Sequence, residues 1–248
     1  VGRNGMTLEG LNESIEAAFN KPKLTAVCLI INSPGGSPVQ SEIIADRIIE
    51  LAKEKSVPVY SFVEDVAASG GYWLACAGDE IYASKSSIIG SIGVISSGFG
   101  LVEAIKKLGV ERRIFTQGNN KSVLDPFTPV KDSDVKIIKK LQQDAHENFI
   151  NFIKSRRQNK LKESDEVLFN GEFWSGQTAV NFGLIDGIDD IYNFLEKKFG
   201  KNVKIEYIKA KDSWFKKKFM SSLNSEDLVD TLYAKLENEL ISSKYKVY

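Results

Sequence analysis

The sequence predicts an α/β domain whose largely parallel sheet is flanked by helices. Two observations carry this. Short apolar runs rich in β-branched residues alternate with stretches of helical periodicity, the pattern of strand–helix–strand units. In addition, two of the strand ends, Asn32–Gly36 and Ala67–Gly71, pass through glycines directly into helix starts.

Taken in order, residues 7–19 place Leu8, Leu11, Ile15 and Phe19 on one stripe, which predicts a helix. Leu24–Ile31 is a continuous apolar run, the mark of a strand buried on both faces. After Asn32-Ser33-Pro34-Gly35-Gly36, Ser37, Pro38 and Gln40 have the form of an N-cap, a first-turn proline and a capping-box partner for a helix to about Lys53. Val57–Val63 is the next strand, Glu64–Ala68 a loop, and Ser69 opens a short helix through Cys76. Glu80–Ala83 and Ser91–Ile95 are expected as short strands, Leu101–Leu108 as a helix and Glu111–Thr116 as a strand. The longest helix is expected over 134–157, with Ile138, Leu141, Ala145, Phe149 and Phe152 on one side. Helices over 176–183 and 189–198 and a strand over 203–208 follow. Beyond Lys211, Leu228, Leu232, Leu236 and Leu240 recur every four residues and predict an amphipathic C-terminal helix over 225–241. The expected organisation is one domain over 1–210 and a tail over 211–248.

Composition excludes several functions. With 33 basic and 33 acidic residues the formal charge is zero, so no global field favours nucleic acid. One histidine and two cysteines, Cys28 and Cys76, leave no ligand set for a metal, and both thiols sit in apolar runs expected to bury them. No stretch reaches the ~20 consecutive apolar residues of a membrane span, so this chain by itself reads as soluble. It begins at Val1 rather than Met, which is compatible with an upstream segment or anchor having been removed.

Chemistry concentrates at the two glycine-rich turns. Asn32–Gly36 leaves backbone N–H groups free and lets a ligand approach the main chain, although a plain strand-to-helix turn has the same composition. Ser69 lies between small residues that leave its hydroxyl accessible, and the Gly70 N–H lies where an oxyanion would form. With an N–H from Gly36, Gly70 would complete a two-donor oxyanion hole. Taken alone, Ser69 reads as an N-cap. Two such turns at one sheet edge form a candidate site.

The motifs INSPGG, AASGGYW and GSIGVI, with GEFWSGQTAVNFGLIDG downstream, resemble the signal-peptide-peptidase-A (protease IV) family of serine proteases, in its short SohB-like form, over residues ~8–200. The resemblance implies a ClpP/crotonase-like fold and a serine endopeptidase acting through an acyl-enzyme, without cofactor. A serine nucleophile needs a base. His146 falls within the long helix and is expected to be structural, so a lysine is the next candidate. The resemblance points to Lys121 as general base and to Ser91 as the residue that orients its amine. Lys85 is nearer in sequence but lies in a polar turn expected to stay solvated. A working base must be neutral, which requires burial that depresses the usual lysine pKa of ~10.4.

The resemblance further implies a ring-shaped homo-oligomer in which the Ser and Lys that work together can come from one subunit or from neighbouring subunits. It also implies membrane association with an extracytoplasmic active site, and peptide substrates such as remnant signal peptides or membrane-associated proteins, cut after small or apolar residues. Apolar residues around Tyr72, Trp73 and Ile92 suggest a hydrophobic groove. Two other readings of the fold are a crotonase-type acyl-CoA enzyme and an inactive scaffold that binds peptides without cutting them.

Overall fold

The computed structural model describes residues 6–208, which fall into two compact units, one made of the chain up to Gly93 and from Phe149 onward, the other of Val94–Asn148. The expected tail over 211–248 and its helix over 225–241 lie outside the described residues.

The first unit is built on a six-stranded sheet. Its first helix, α1 (Leu8–Phe19), starts at Thr7, whose hydroxyl accepts the Gly10 N–H and so satisfies one of the amides a helix start leaves without an internal partner. Strand β1 (Val27–Ser33) leads to α2 (Pro38–Lys55), and β2 (Val59–Ala68) leads to α3 (Gly70–Ala75). Then come β3 (Glu80–Ala83) and β4 (Ile88–Gly90).

The second unit holds α4 (Val102–Lys107) and the start of α5 (Asp132–Arg157), whose residues from Phe149 belong to the first unit. The first unit closes with α6 (Asp165–Leu168), β5 (Phe173–Ser175), α7 (Gly176–Asn181), β6 (Gly187–Ile188) and α8 (Ile191–Phe199).

β2 is the hub of the sheet. It pairs in parallel with β1 along one side, with β3 through Tyr60–Val63, and with β4 through Val66–Ala68. β6 extends the parallel set beside β3, and β5 is the antiparallel member, beside β4. The strand alternation places Val59 and Val63 in the main core with Ile44, Ile48 and Leu51 of α2. Tyr60 and Phe62 point the other way, against Phe194 and Leu195 of α8. Helices therefore cover both faces, which is why these strands read as unbroken apolar runs.

The expected α/β architecture is present, with several local differences. Residues 64–68 continue β2 rather than looping, because β4 supplies the pairing partner for Val66–Ala68. The strand expected over 91–95 lies over Ile88–Gly90 instead. The strands expected over 111–116 and 203–208 do not form: a strand needs a ladder, and neither segment has a pairing partner among the described residues. Ser37 makes no side-chain cap bond, and Gln40 accepts from the Leu8 N–H rather than closing a capping box. On α5, Phe149 is buried as expected, whereas Leu141 is 59% exposed.

Ile153 has no solvent exposure and belongs to the main core. Ile153→Ala is expected to destabilise the protein by about 2–5 kcal/mol in urea unfolding, since the freed volume has no other side chain to fill it.

Candidate active site

The C-terminal ends of β1, β2 and β4 come together. Ala68 pairs with Gly90, so the residues that follow them, Ser69 and Ser91, leave adjacent strands side by side. The Ser69 N–H donates to the Gly90 carbonyl at 2.8 Å, and the Ser91 N–H donates to the Glu172 carbonyl at 2.7 Å.

Ser69 has φ 53° and ψ −123°, a backbone region that a side chain makes costly, on the order of 1–3 kcal/mol. Such a conformation persists only where the surroundings over-determine it. Here the Ser69 carbonyl accepts the N–H groups of Tyr72 (2.9 Å) and Trp73 (3.0 Å), while its own N–H is held by Gly90. The serine makes no side-chain cap bond to the helix that follows. The N-cap reading of Ser69 is thereby set aside. Ser69 is thus a half-buried residue on a strained strand-to-helix turn, with its side chain not used for capping.

The turn after β1 is pressed against it. A Cβ on Gly35, whose φ is +128°, would stand 3.0 Å from the Ser69 Cβ, and one on Gly70 would stand 3.1 Å from the Gly36 nitrogen. The main chains of Gly36 and Gly70 are therefore neighbours, beside Ser69. Gly36 itself is exposed, and a Cβ there would meet nothing within 4 Å, so a ligand has room to reach its amide. Beneath the turn, a Cβ on Gly71 would lie 2.3 Å from the Ser33 carbonyl oxygen, and one on Gly70 2.3 Å from the Ser41 hydroxyl. Only glycine fits at position 71, where the obstacle is main chain; at position 70 the obstacle is the Ser41 side chain.

The structure thus brings together Ser69, Gly70, Gly36 and Ser91. Lys121 belongs to the second unit, in the turn Gly118–Leu124, where its side chain is exposed. That turn is tied within its own unit: the Leu124 N–H donates to the Asp134 carboxylate at 3.1 Å, and the Leu101 N–H donates to the Pro126 carbonyl at 2.6 Å. Arg112 pairs with Asp125 and lies over the Phe127 ring. Asp125 is held below the usual carboxylate range, first by the Phe127 N–H.

Lys85 is exposed, as expected. Both thiols are pushed up to about 11 by burial, which leaves little thiolate at neutral pH. Among the described residues, the side chains expected to form a hydrophobic groove do not line one. Tyr72, Trp73 and Ile92 are all buried in the main core, with Trp73 stacked on Phe149 and Phe152. The sequence reading gave Gly35 only as part of its turn and did not single out Ser41. Their signal was present, as small residues at the points of closest approach, but only the assembled turns reveal what each one faces.

Fold and site define this chain as an α/β peptidase-type domain with a serine on a strained strand–helix turn. The family model "Peptidase family S49" matches residues 51–204, a span that takes in Ser69, Gly70, Ser91 and Lys121 and begins after Gly36. The chain belongs to peptidase family S49, a family of ClpP-like fold. It is 33% identical over 189 residues to a putative signal peptide peptidase SppA of Enterococcus faecium, covering 73% of this chain and 54% of that protein. It is 33% identical over 211 residues to a probable protease SohB of Haemophilus influenzae, covering 84% of this chain and 58% of that protein.

A protein named as the Na(+)/H(+) antiporter NhaA of Brucella melitensis is 53% identical over 194 residues, covering 78% of this chain but 26% of that protein. The chain therefore spans about half the length of the first two relatives and a quarter of the third. Among the described residues no helix is long and apolar enough to cross a membrane.

Gly71→Ala is expected to lower the unfolding midpoint, because the new methyl meets backbone that cannot swing aside. Gly70→Ala is expected to be partly rescued by Ser41→Ala, which removes the hydroxyl that the methyl strikes. Thermal unfolding of Gly71→Ala, Gly70→Ala and the Gly70→Ala, Ser41→Ala double variant checks this.

Proposed function

We propose that this chain is a serine endopeptidase in which Ser69 is the nucleophile and Lys121 the general base. The observation that carries the reading is the left-handed Ser69 turn, uncapped and packed against the Gly35–Gly36 main chain. Neutral Lys121 takes the Ser69 hydroxyl proton as the oxygen bonds to the substrate carbonyl carbon. The N–H groups of Gly36 and Gly70 hold the oxyanion, each such donor typically contributing about 3 kcal/mol in the transition state. Collapse breaks the C–N bond, and the leaving amine takes its proton back from Lys121. Water then hydrolyses the Ser69 ester by the same proton path in reverse. Ser91, directly after the strand residue that pairs with Ala68, orients the lysine amine.

Lys121 is exposed in the single chain, and a general base needs the cover of a desolvated site. The second unit leaves large apolar side chains in water, among them Phe115 (94% exposed), Ile95 (82%), Leu108 (76%) and Phe99 (72%). Apolar exposure of this kind marks an interaction surface. It supports assembly into a homo-oligomeric ring in which a neighbouring copy covers these residues and desolvates the amine, with Ser69 and Lys121 meeting across subunits. The substrates proposed are apolar peptides, remnant signal peptides or segments of membrane-associated proteins among them, in keeping with the names of the SppA and SohB relatives. Membrane association with an extracytoplasmic site belongs to the same proposal.

Hydrolysis of labelled casein by wild type, Ser69→Ala and Lys121→Ala, followed from about pH 6 to 10 where a depressed lysine titrates, tests the dyad. The active form carries a neutral amine, so wild-type activity should rise with pH, and both variants should lose on the order of 10³-fold or more in kcat. Unaltered hydrolysis by Ser69→Ala would refute the nucleophile. Loss in Ser69→Ala with full activity in Lys121→Ala would refute the base. Activity that elutes with the monomer on sizing would refute the shared site.

A further inference from the structure

The segment Gly183–Gly187 is the one sequence motif that the chemistry above leaves without a task. It is fixed with unusual completeness. A Cβ on Gly183 would stand 1.7 Å from the Lys160 carbonyl oxygen, so the chain can pass there only as glycine. The Arg157 guanidinium, 2% exposed at the end of α5, donates to the Gly183 carbonyl through Nε (3.1 Å) and Nη2 (2.8 Å), and through Nη1 to the Asp186 carboxylate (2.6 Å). Asp186 also accepts the Ile81 N–H at 2.8 Å and pairs with Lys160. The Leu184 and Ile185 side chains are buried in the main core.

One hydrogen bond leaves this anchored segment toward the site. The Tyr72 hydroxyl, fully buried, donates to the Leu184 carbonyl at 2.6 Å. Burial holds the phenol protonated and therefore a donor. The same residue's N–H donates to the Ser69 carbonyl at 2.9 Å. Tyr72 is thus tied at both ends: its main chain closes the turn that begins at Ser69, and its side chain is fastened to a carbonyl that Arg157 and Asp186 hold in place.

We infer that Tyr72, anchored through Leu184 by the Arg157–Asp186 pair, is a positioning residue that holds the strained Ser69 turn in its reactive geometry. The inference rests on Ser69 being the nucleophile. Ser69 sits in a costly backbone region, and relaxation of the first turn of α3 is the nearest escape from it. The tie acts on the step in which Ser69 attacks and not on substrate capture, because Tyr72 is sealed in the core and touches no substrate.

The test is steady-state hydrolysis of labelled casein by the full chain as wild type, Ser69→Ala, Tyr72→Phe and Phe149→Leu, with the unfolding midpoint of each. Tyr72→Phe removes one hydroxyl and keeps the ring. It should lower kcat by about 10- to 100-fold, the cost of a misplaced reacting group, with KM kept within about twofold and the pH profile unchanged in shape. Phe149→Leu loses a ring stacked on Trp73 at 4.6 Å, which should lower the unfolding midpoint while kcat holds.

If Tyr72→Phe lowers the midpoint but keeps the wild-type kcat, the residue is merely structural and the inference is overturned. If kcat in the two folded variants falls only in proportion to lost stability, it is overturned equally. A fully active Ser69→Ala would overturn the nucleophile and this inference together. An inactive Ser69→Ala beside a fully active Tyr72→Phe would overturn this inference alone.

Discussion

The hydrogen bond from the Ser69 N–H to the Gly90 carbonyl is the contact on which the site depends. It prolongs the β2–β4 ladder by one step beyond Ala68, into a residue whose backbone is no longer extended. Without that hold the serine could relax toward an ordinary helix start, with its hydroxyl free to cap α3. With it, the strand's direction carries over into the placement of a side chain. The glycines at 35, 70 and 71 follow from the same constraint, since a turn held this tightly leaves no room for a Cβ where the β1 and β2 turns touch.

The parallel sheet explains why these turns coincide. Strands β1, β2 and β4 all point the same way, so their C-terminal ends, with the loops that carry Gly36, Ser69 and Ser91, gather at one edge. This is the general place for ligands in open α/β sheets. Lys121 is organised differently. Its turn is assembled inside the second unit by Asp134, Asp125 and Arg112, and it brings its own geometry to whatever it meets. A lysine carried on a separate unit, exposed in one chain, is in keeping with the proposal that assembly completes the site.

Much of this was legible in the sequence where local physics decides. The α/β order, α1, α2 and the length of α5 follow from apolar periodicity, and the two glycine-rich turns announced themselves by composition. What escaped was set by partners distant in the chain. Residues 64–68 look like a loop because Glu64 and Asp65 interrupt the apolar run, yet β4 recruits Val66–Ala68 into the sheet. Residues 111–116 carry Ile114, Phe115 and Thr116, suited to a strand, but have no ladder to join among the described residues. Tyr72 and Trp73, beside the serine, suggested a groove. Their rings turn inward instead, because α3 buries one side against Phe149 of α5 and the Leu184 carbonyl. The left-handed backbone at Ser69 and Ser91 has no compositional mark, because serine is not a residue that announces positive φ.

The central claim, that the Ser69 turn presents an activated nucleophile, is met most directly by covalent capture. The wild-type protein is treated with a fluorophosphonate, digested, and the modified peptide identified by mass spectrometry. The account predicts a single adduct on the peptide carrying Ser69, absent from Ser69→Ala. An adduct on a different serine, or none on a preparation that cleaves casein, would contradict it.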